Sequence, residues 1–497
     1  MYRKDSVDQL EFEEFSMPFG GRLSCDNRWI ILAKQIPWQE VEEIYSAKFK
    51  NQKTGCPAKP ARVALGSLLI KERLGLTDRE TVLQIQENPY LQYFLGFSEF
   101  NTATPFDHSL MTYFRKRFDK DALVKINELI FQNAFDSISH KNETDNGDKN
   151  DDDEEPLNKG KLIVDATCTP ADVSYPTDLK LINEAREKTE RMIDNLHEPF
   201  VGKEKKPRMY RNVARRNYLS VAKQKRPGYK KIRKAIRKQL GFLRRNLKNI
   251  DEMILGETKI HLSNKQCTDF GVIKKLFEQQ RYMYENKTHT VANRIVSISQ
   301  PHVRPIIRGK AKCNVEFGAK VAISLVDGFS FVDKISWDSY NESTDLIKQI
   351  ESYKKRFGFY PESVHGDQIY RTRENRTYCA ERGVRFSGPP LGRPKKATPE
   401  NAKQLKQEKR QHRQDEIDRI AVEGKFGQGK RRFSLGRIMT RLAETSESVI
   451  MIAFMVMNLE KILASTLYFL FFVWTSLLSL TKKPLQHHHY EQNFAIK

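Results

Sequence analysis

Cysteine is scarce in this chain of 497 residues, and its six copies are far apart in the sequence. No two of them form a Cys-x-x-Cys motif, because they stand at positions 25, 56, 168, 267, 313 and 379. We therefore expect neither a zinc ribbon nor a disulfide framework. The first fifteen residues also lack an apolar signal core. Both absences favour a reducing, cytoplasmic setting.

Acidic residues are outnumbered by basic ones. The chain has 86 Lys and Arg against 63 Asp and Glu, which gives a net charge of +23 and a pI of about 9.5. Apolar residues make up 39% and charged residues 30%, so the chain is globular and long enough for two or three domains. Such an excess of positive charge favours a polyanionic partner, either nucleic acid or an anionic membrane surface.

Long apolar runs are rare in a chain of this polarity, and the segment 462–480 stands out. Its nineteen residues carry no charge, which is the length threshold for a membrane span. A buried C-terminal helix or an oligomer contact is the alternative, and we favour it because the preceding chain is polar. Residues 461–497 are expected to form an apolar helix and a tail, without a membrane as partner.

Residues 1–140 place apolar side chains at helical spacing and predict a helical N-terminal domain. A helix is expected to begin after Thr77, because Thr77 and Glu80 fit a capping box. A basic, aromatic helix is expected at 110–118. Its basic side chains are Arg115, Lys116 and Arg117. The domain suits either a helix-turn-helix-like DNA reader or a dimerisation module, and both remain open.

Residues 141–160 are acidic, lack aromatics and predict a disordered linker. Beyond it, residues 161–177 and 290–460 predict one layered α/β domain that is interrupted after its first strand. The expected strands cover residues 161–166, 317–326, 329–335, 363–367 and 384–386. The Asp327-Gly328 pair between two of them is a strong hairpin signal.

The interruption, residues 178–289, predicts a basic helical insertion. Between residues 201 and 250 there are 19 Lys and Arg and one Glu, with tyrosines interleaved. A block this basic repels itself unless it meets anions, so a phosphate-contacting surface is favoured over a merely solvated face. The candidate DNA contacts here are Arg215, Arg216, Lys230, Lys231, Arg233 and Lys234.

Three acidic residues stand where a carboxylate suits metal chemistry. Asp165 ends a buried strand, Asp367 closes another, and Glu423 lies on a long charged helix expected over 399–442. Carboxylates gathered at a sheet edge can hold two Mg²⁺ ions about 4 Å apart for in-line phosphoryl transfer. Each acid alone is more often a turn former or a cap, and Asp327 remains an alternative to Asp367.

Two cations flank Glu423. Arg419 stands four residues before it and Lys430 seven after, which puts all three on one face of a continuous helix. An ordinary salt-bridged face is the alternative. Gly424-x4-Gly429-Lys430 echoes a P-loop but lacks the following Ser or Thr, so no nucleotide partner is expected.

Arg419-x3-Glu423-x6-Lys430 resembles most of the Y-x2-R-x3-E-x6-K signature of bacterial insertion-sequence DDE transposases. Asp165 and Asp367 resemble the first and second aspartates of that family. The stretch 106–118 also resembles its N-terminal domain, and the resemblance covers most of residues 60–460. Glu416 departs from the signature, because it stands where the family has tyrosine.

The resemblance implies a ribonuclease-H-like mixed sheet flanked by helices. It also implies catalysis and metal binding by Asp165, Asp367 and Glu423 with two Mg²⁺ ions, for which Mn²⁺ can substitute. The expected substrate is double-stranded DNA: terminal inverted repeats are cut at the element ends, and the freed 3′-hydroxyl is joined to target DNA. A homodimer associated with the nucleoid is expected. An inactive repressor-like relative and a metal-dependent nuclease without strand transfer remain alternatives.

Overall fold

The computed structural model describes residues 11–17, 20–49, 57–143, 158–255, 262–310, 313–388, 398–399 and 401–481. Within them the chain is mixed α/β, with fifteen α-helices and one sheet of six strands. Most of the linker expected at 141–160, and the tail after residue 481, lie outside the described residues.

Seven helices precede the sheet. They are α1 (Arg28–Gln35), α2 (Trp38–Ser46), α3 (Ala61–Leu74), α4 (Asp78–Glu87), α5 (Pro89–Phe94), α6 (Leu110–Arg117) and α7 (Lys120–Glu143). Thr77 caps α4 as expected, since its hydroxyl accepts the Glu80 N–H at 3.2 Å. Asn88 caps α5 in the same way through the Tyr90 N–H at 2.9 Å.

The sheet combines antiparallel and parallel pairing around β1. Its strands are β1 (Lys161–Pro170), β2 (Arg304–Lys310), β3 (Cys313–Val326), β4 (Phe329–Ser336), β5 (Ser363–His365) and β6 (Arg385–Phe386). β1 is antiparallel to β3 on one side and parallel to β5 on the other, and β6 continues the parallel edge. β2 and β4 both pair with β3 in antiparallel fashion.

The hairpin between β3 and β4 is confirmed. Asp327 and Gly328 both have positive φ, 47° and 78°, as the tight turn of a hairpin requires. The strand expected at 363–367 ends earlier, at His365, so Asp367 stands just outside it. An acid released from the strand ladder can turn its carboxylate out of the sheet, which matters for the site described below.

Four helices separate β1 from β2. They are α8 (Asp178–His197), α9 (Arg211–Ala222), α10 (Tyr229–Leu255) and α11 (Asn264–Glu285). They have their own apolar core, to which α10 contributes Leu240, Leu243, Leu247 and Ile250 at helical spacing. The opposite face of α10 is therefore left to its basic residues.

Four helices follow the β3–β4 hairpin. They are α12 (Leu346–Phe357), α13 (Arg373–Glu381), α14 (Ala402–Arg432) and α15 (Ala443–Thr481). The glycines at 424, 427 and 429 predict a weak point, yet α14 runs through them without a break. Gly429 is needed for packing, because a Cβ there would come 2.6 Å from the Leu435 side chain.

The N-terminal helices and the sheet share one apolar core, and α15 lies between them. Asn458 of α15 is buried and fully paired. Its amide donates to Asn127 of α7 at 3.0 Å and to the Ser330 carbonyl of β4 at 2.8 Å, and its oxygen accepts the Ser330 N–H at 2.8 Å. A satisfied buried network of this kind fixes one relative placement of the helices and the sheet.

One described helical segment, Ala443–Thr466 of α15, is long and apolar enough to cross a membrane, and 67% of it is buried within the protein. Burial of this kind is typical of a core helix, so the segment is weak evidence for a membrane span. The side chains of residues 467–481, which include most of the apolar segment at 462–480, lie outside the described residues.

Ion pairs fasten α14 across the parallel edge of the sheet. Asp415, 5% exposed, accepts two bonds from the Arg385 guanidinium of β6, at 2.7 and 2.9 Å. Three residues later, Asp418 pairs with Lys161 of β1 at 2.7 Å. Two fastenings on one face fix both the position and the rotation of α14, and with them the direction of Glu423.

Asp415→Asn is expected to lower the thermal unfolding midpoint by roughly 2–8 °C, because it breaks a bidentate pair worth about 1–2 kcal/mol at this partly exposed site. Glu416→Gln on the same helix is the matched control, since its side chain is 69% exposed. Differential scanning fluorimetry would measure both variants. Equal midpoints for the two variants would contradict a fastening role for Asp415.

Candidate active site

Strand register places two of the predicted acids side by side. Ile163 of β1 pairs with His365 of β5 in parallel, and Asp165 and Asp367 each follow two residues later. Neighbouring strands lie about 4.8 Å apart, so the backbone at these two positions comes close together just beyond the end of the β1–β5 pairing. Asp165 itself lies within β1, paired with Ile323 of β3, and does not end the strand as the sequence predicted. Asp327, the alternative second aspartate, lies in the hairpin turn, four residues or about 13 Å along β3 from the partner of Asp165.

The carboxyl group of Asp165 is buried close to other negative charges, which disfavours its ionised form. Burial, together with the negative charges of Glu342 and Glu423, raises its pKa to about 6. The Ala166 N–H, which donates to the carboxylate at 2.7 Å, and the Arg419 charge act in the opposite direction. The carboxylate is thus partly dehydrated and close to other acids, which is the environment that an added cation would relieve.

Arg419 and Glu423 project from α14 toward the same edge. The Arg419 guanidinium forms an ion pair with Asp367 through Nη1, and its Nη2 lies 3.8 Å from Glu423 Oε1. All three side chains remain reachable from solvent, with 52% of Asp367, 37% of Arg419 and 62% of Glu423 exposed. The structure therefore brings together Asp165, Asp367, Glu423 and Arg419, which lie as much as 258 positions apart in the sequence.

The donor set fits a divalent cation, although the present spacing does not yet enclose one. Within the described residues, no three His, Cys, Asp or Glu side chains stand close enough together to hold a metal ion. A guanidinium already bridges Asp367 and Glu423, so both carboxylates are directed at a cation. Carboxylate oxygens are the ligands that Mg²⁺ prefers. The chemistry of these acids is therefore compatible with a divalent cation.

Glu342 is a further acid near the site that sequence reasoning missed. It lies in the short 3₁₀ turn that precedes α12, pairs with Lys320 of β3 at 2.6 Å, and is largely buried. The buried Tyr370, whose pKa is raised by burial and by the charges of Glu342 and Asp165, lies near both acids. Nothing in the local sequence distinguishes Glu342 from an ordinary helix-start acid, so only the fold reveals it.

The predicted basic surface is present on α9 and α10. The exposed members are Arg215, Arg216, Lys230, Lys231 and Lys234, and α10 continues with Arg237, Lys238, Arg244, Arg245 and Lys248. Arg233 differs, because its guanidinium donates to the Tyr284 carbonyl at 2.9 Å and lies over the Tyr284 ring. Tyr284 and three other tyrosines line an adjacent cavity of about 580 Å³. Aromatic faces beside cations suit contact with nucleic-acid bases.

The three basic side chains of α6 differ in how far they are exposed to solvent, and so in how readily they could contact DNA. Arg115 is 5% exposed and its guanidinium holds Asp78 through two bonds. Arg117 donates to the Tyr45 hydroxyl at 3.1 Å, whereas Lys116 is exposed. Of the three predicted contacts, Lys116 is thus the one that presents its charge to solvent most directly.

The remaining predicted residues lie on α14. Glu416, in the place of the family tyrosine, is exposed, and His412 lies 3.7 Å from it. Lys430 stands in the last turn of the helix and is half-buried. It lies seven residues beyond Glu423, about 10 Å along the axis, so the two side chains do not meet directly.

Comparisons with known proteins bear on the same segments. Residues 364–460 match the family model described as Transposase DDE domain. Residues 19–117 match the model described as Transposase domain (DUF772). These matches confirm the resemblance to the insertion-sequence DDE transposases. They indicate a DNA-processing enzyme, and a divalent metal is in general use in this family.

The matched DDE segment contains Asp367, Arg419, Glu423 and Lys430, whereas Asp165 lies outside both matches. An uncharacterised protein, ORF8 in the nfe locus of Rhizobium meliloti, is 30% identical over 150 residues, or 30% of this chain. This chain spans 65% of that relative's length. No solved structure matches this chain.

Asp165→Asn is expected to stabilise the metal-free protein at pH 8 by roughly 1–3 kcal/mol. The folded pKa of about 6 lies above the ordinary 3.8, so the folded state loses stability as pH rises between these values. The gain should therefore shrink at pH 5 and vanish near pH 4. Urea unfolding in EDTA would measure it, with the exposed Asp338→Asn as control. A gain independent of pH would contradict the burial argument.

Proposed function

We propose that this chain is an active DDE transposase that cuts DNA at the ends of an insertion sequence and joins the freed 3′-hydroxyl to target DNA. The observation that carries the proposal is the register of β1 and β5, in which Asp165 and Asp367 each stand two residues beyond the paired Ile163 and His365. The charge of Glu423 on α14 also acts on Asp165. A sheet with an antiparallel hairpin on one side of β1 and parallel strands on the other is compatible with a ribonuclease-H-like catalytic domain.

Asp165, Asp367 and Glu423 would hold two Mg²⁺ ions, or Mn²⁺ in their place. With them bound, the site would activate the attacking water or 3′-hydroxyl and stabilise the leaving oxygen. The protein's part would be to place the acids: Asp165 lies within β1, Asp367 follows β5, and the Asp415–Arg385 pair would fix the rotation of α14. The buried backbone around Asp165 keeps its carboxylate in one orientation through the Ala166 N–H.

We infer that the helices α8–α11 act as an insertion that grips DNA. Their exposed cations lie on faces whose opposite sides form a separate apolar core, so the basic surface is rigid rather than a loose tail. Lys116, Arg419 and Lys430 would add further DNA contacts. Arg115 is not included, since its guanidinium is buried against Asp78. Two ends must be brought together, so a homodimer acting on nucleoid DNA in the cytoplasm completes the proposal.

The chemistry is tested with purified protein, Mg²⁺ and a duplex that carries the element's own ends. Asp367→Asn is expected to slow 3′-end cleavage at least ~100-fold, because metal stabilisation of the transition state amounts to several kcal/mol. Asp327→Asn should cut at the wild-type rate, since Asn tolerates the positive φ at that turn.

Denaturing gels would resolve nicked and joined products. Equal rates for the Asp367→Asn and Asp327→Asn variants would overturn the assignment of the second aspartate. Nicking without joined products would instead indicate a nuclease, and tight binding with no cleavage would indicate a repressor-like protein.

DNA binding by α10 is tested separately through its salt dependence. Lys230→Gln with Lys234→Gln removes two exposed charges on one helix face. The slope of log affinity against log salt should become shallower by about 2, because each lost phosphate contact contributes about 0.9. Fluorescence anisotropy with a short duplex would measure it. The matched control is Lys348→Gln with Lys355→Gln, exposed on α12, and an equal change there would refute the assigned surface.

A further inference from the structure

Arg419 occupies the space where two of the proposed metal ligands converge. Its guanidinium pairs with Asp367 through Nη1, and Nη2 lies 3.8 Å from Glu423 Oε1. Asp367 stands after β5 and Glu423 on α14, so the fold, not sequence proximity, brings both carboxylates to one cation. The contact with Glu423 also follows from the four-residue spacing on α14.

A guanidinium and a metal ion compete for the same oxygen atoms. The carboxylate oxygens of Asp367 and Glu423 that face Arg419 are the groups that would coordinate Mg²⁺. A planar cation that binds two carboxylates neutralises their mutual repulsion, as a metal ion would, but it cannot be present together with that ion. Metal binding at these oxygens must therefore displace the guanidinium.

The displacement is physically easy. Arg419 is 37% exposed, Asp367 52% and Glu423 62%, and ion pairs this open to solvent contribute little to stability. The long arginine side chain can rotate away without disturbing α14, because Asp415 and Asp418 hold that helix through other contacts. A phosphate offers the guanidinium a bidentate partner of the same geometry as a carboxylate.

We propose that Arg419 takes the place of a metal ion in the DNA-free protein, and that a DNA phosphate draws it away and so releases Asp367 and Glu423 for Mg²⁺. Metal and DNA then bind cooperatively through one side chain. This inference depends on the proposed metal site. Its physical consequence is that metal affinity stays low until DNA is present, which keeps the protein from assembling its cutting centre without a substrate.

The test uses isothermal titration calorimetry to measure Mn²⁺ binding to the full-length chain in the absence of DNA. Arg419→Gln is expected to bind Mn²⁺ about five-fold or more tightly than wild type, within the usual range of coupling between sites. Arg413→Gln is the matched control, because it removes one exposed positive charge from the same helix. Arg419→Lys, which keeps the charge but not the bridge, should fall between wild type and Arg419→Gln.

A second measurement uses the reciprocity of coupling. Ca²⁺ should strengthen binding of an element-end duplex more in wild type than in Arg419→Gln, with Arg413→Gln again as reference for ionic screening. Fluorescence anisotropy measures the DNA affinity of each protein with and without Ca²⁺. Thermal melts establish that each variant is folded before the affinities are compared.

The outcomes separate this inference from the proposed function. If Asp367→Asn binds Mn²⁺ as well as wild type, the metal site itself is wrong. If Asp367→Asn loses binding while Arg419→Gln matches Arg413→Gln, the site stands and the role of Arg419 as a competing cation is overturned. A tighter Arg419→Gln together with a weaker Asp367→Asn supports both.

Discussion

Carboxylates gathered at one sheet edge repel one another and lose hydration, so the arrangement at this edge depends on positive charge reaching it. Asp165 shows the cost, since burial and two neighbouring acids raise its pKa to about 6. Arg419 supplies charge between Asp367 and Glu423, and Lys320 supplies it to Glu342. Each acid near the edge is thereby partly compensated before any metal binds.

The edge holds its shape because α14 is fastened away from the acids. The pairs Asp415–Arg385 and Asp418–Lys161 connect the helix to β6 and β1. The Arg419 and Glu423 side chains are therefore not needed to hold the helix in place. This separation lets the site change its ion pairing without moving the backbone. Rigid support beneath adjustable side chains suits the exchange of Arg419 for a metal ion that we propose.

The helices around the sheet pack into two different apolar cores. The apolar α15 joins the N-terminal helices to the sheet, with Asn458 fixing their placement. The helices α8–α11 have a core of their own and direct their cations outward. The acidic side chains beside the sheet and the exposed basic side chains of α8–α11 thus stand on separate packing units.

Much of the local structure could be predicted from the sequence, because its causes are local. The cap at Thr77, the hairpin at Asp327-Gly328 and the amphipathic α10 follow from side-chain chemistry and periodicity within a few residues. The acids Asp165, Asp367 and Glu423 were predicted from strand-end position and from the family resemblance. The ends of helices and strands were harder to predict. The glycines at 424, 427 and 429 predict a weak point in α14, yet the helix continues through them to Arg432.

Which charges meet is set by the fold and not by the linear order of the residues. Glu342 joins the edge because the turn before α12 folds against the segment after β5, and no spacing in the sequence announces that contact. Arg115 is turned inward by Asp78, although it stands between basic and aromatic neighbours in sequence like a surface cation. The residue order alone shows which acidic, basic and aromatic side chains the protein can use, because each side chain's chemistry belongs to its own residue. The pairing of those charges depends on distances across the fold, which a linear pattern does not contain.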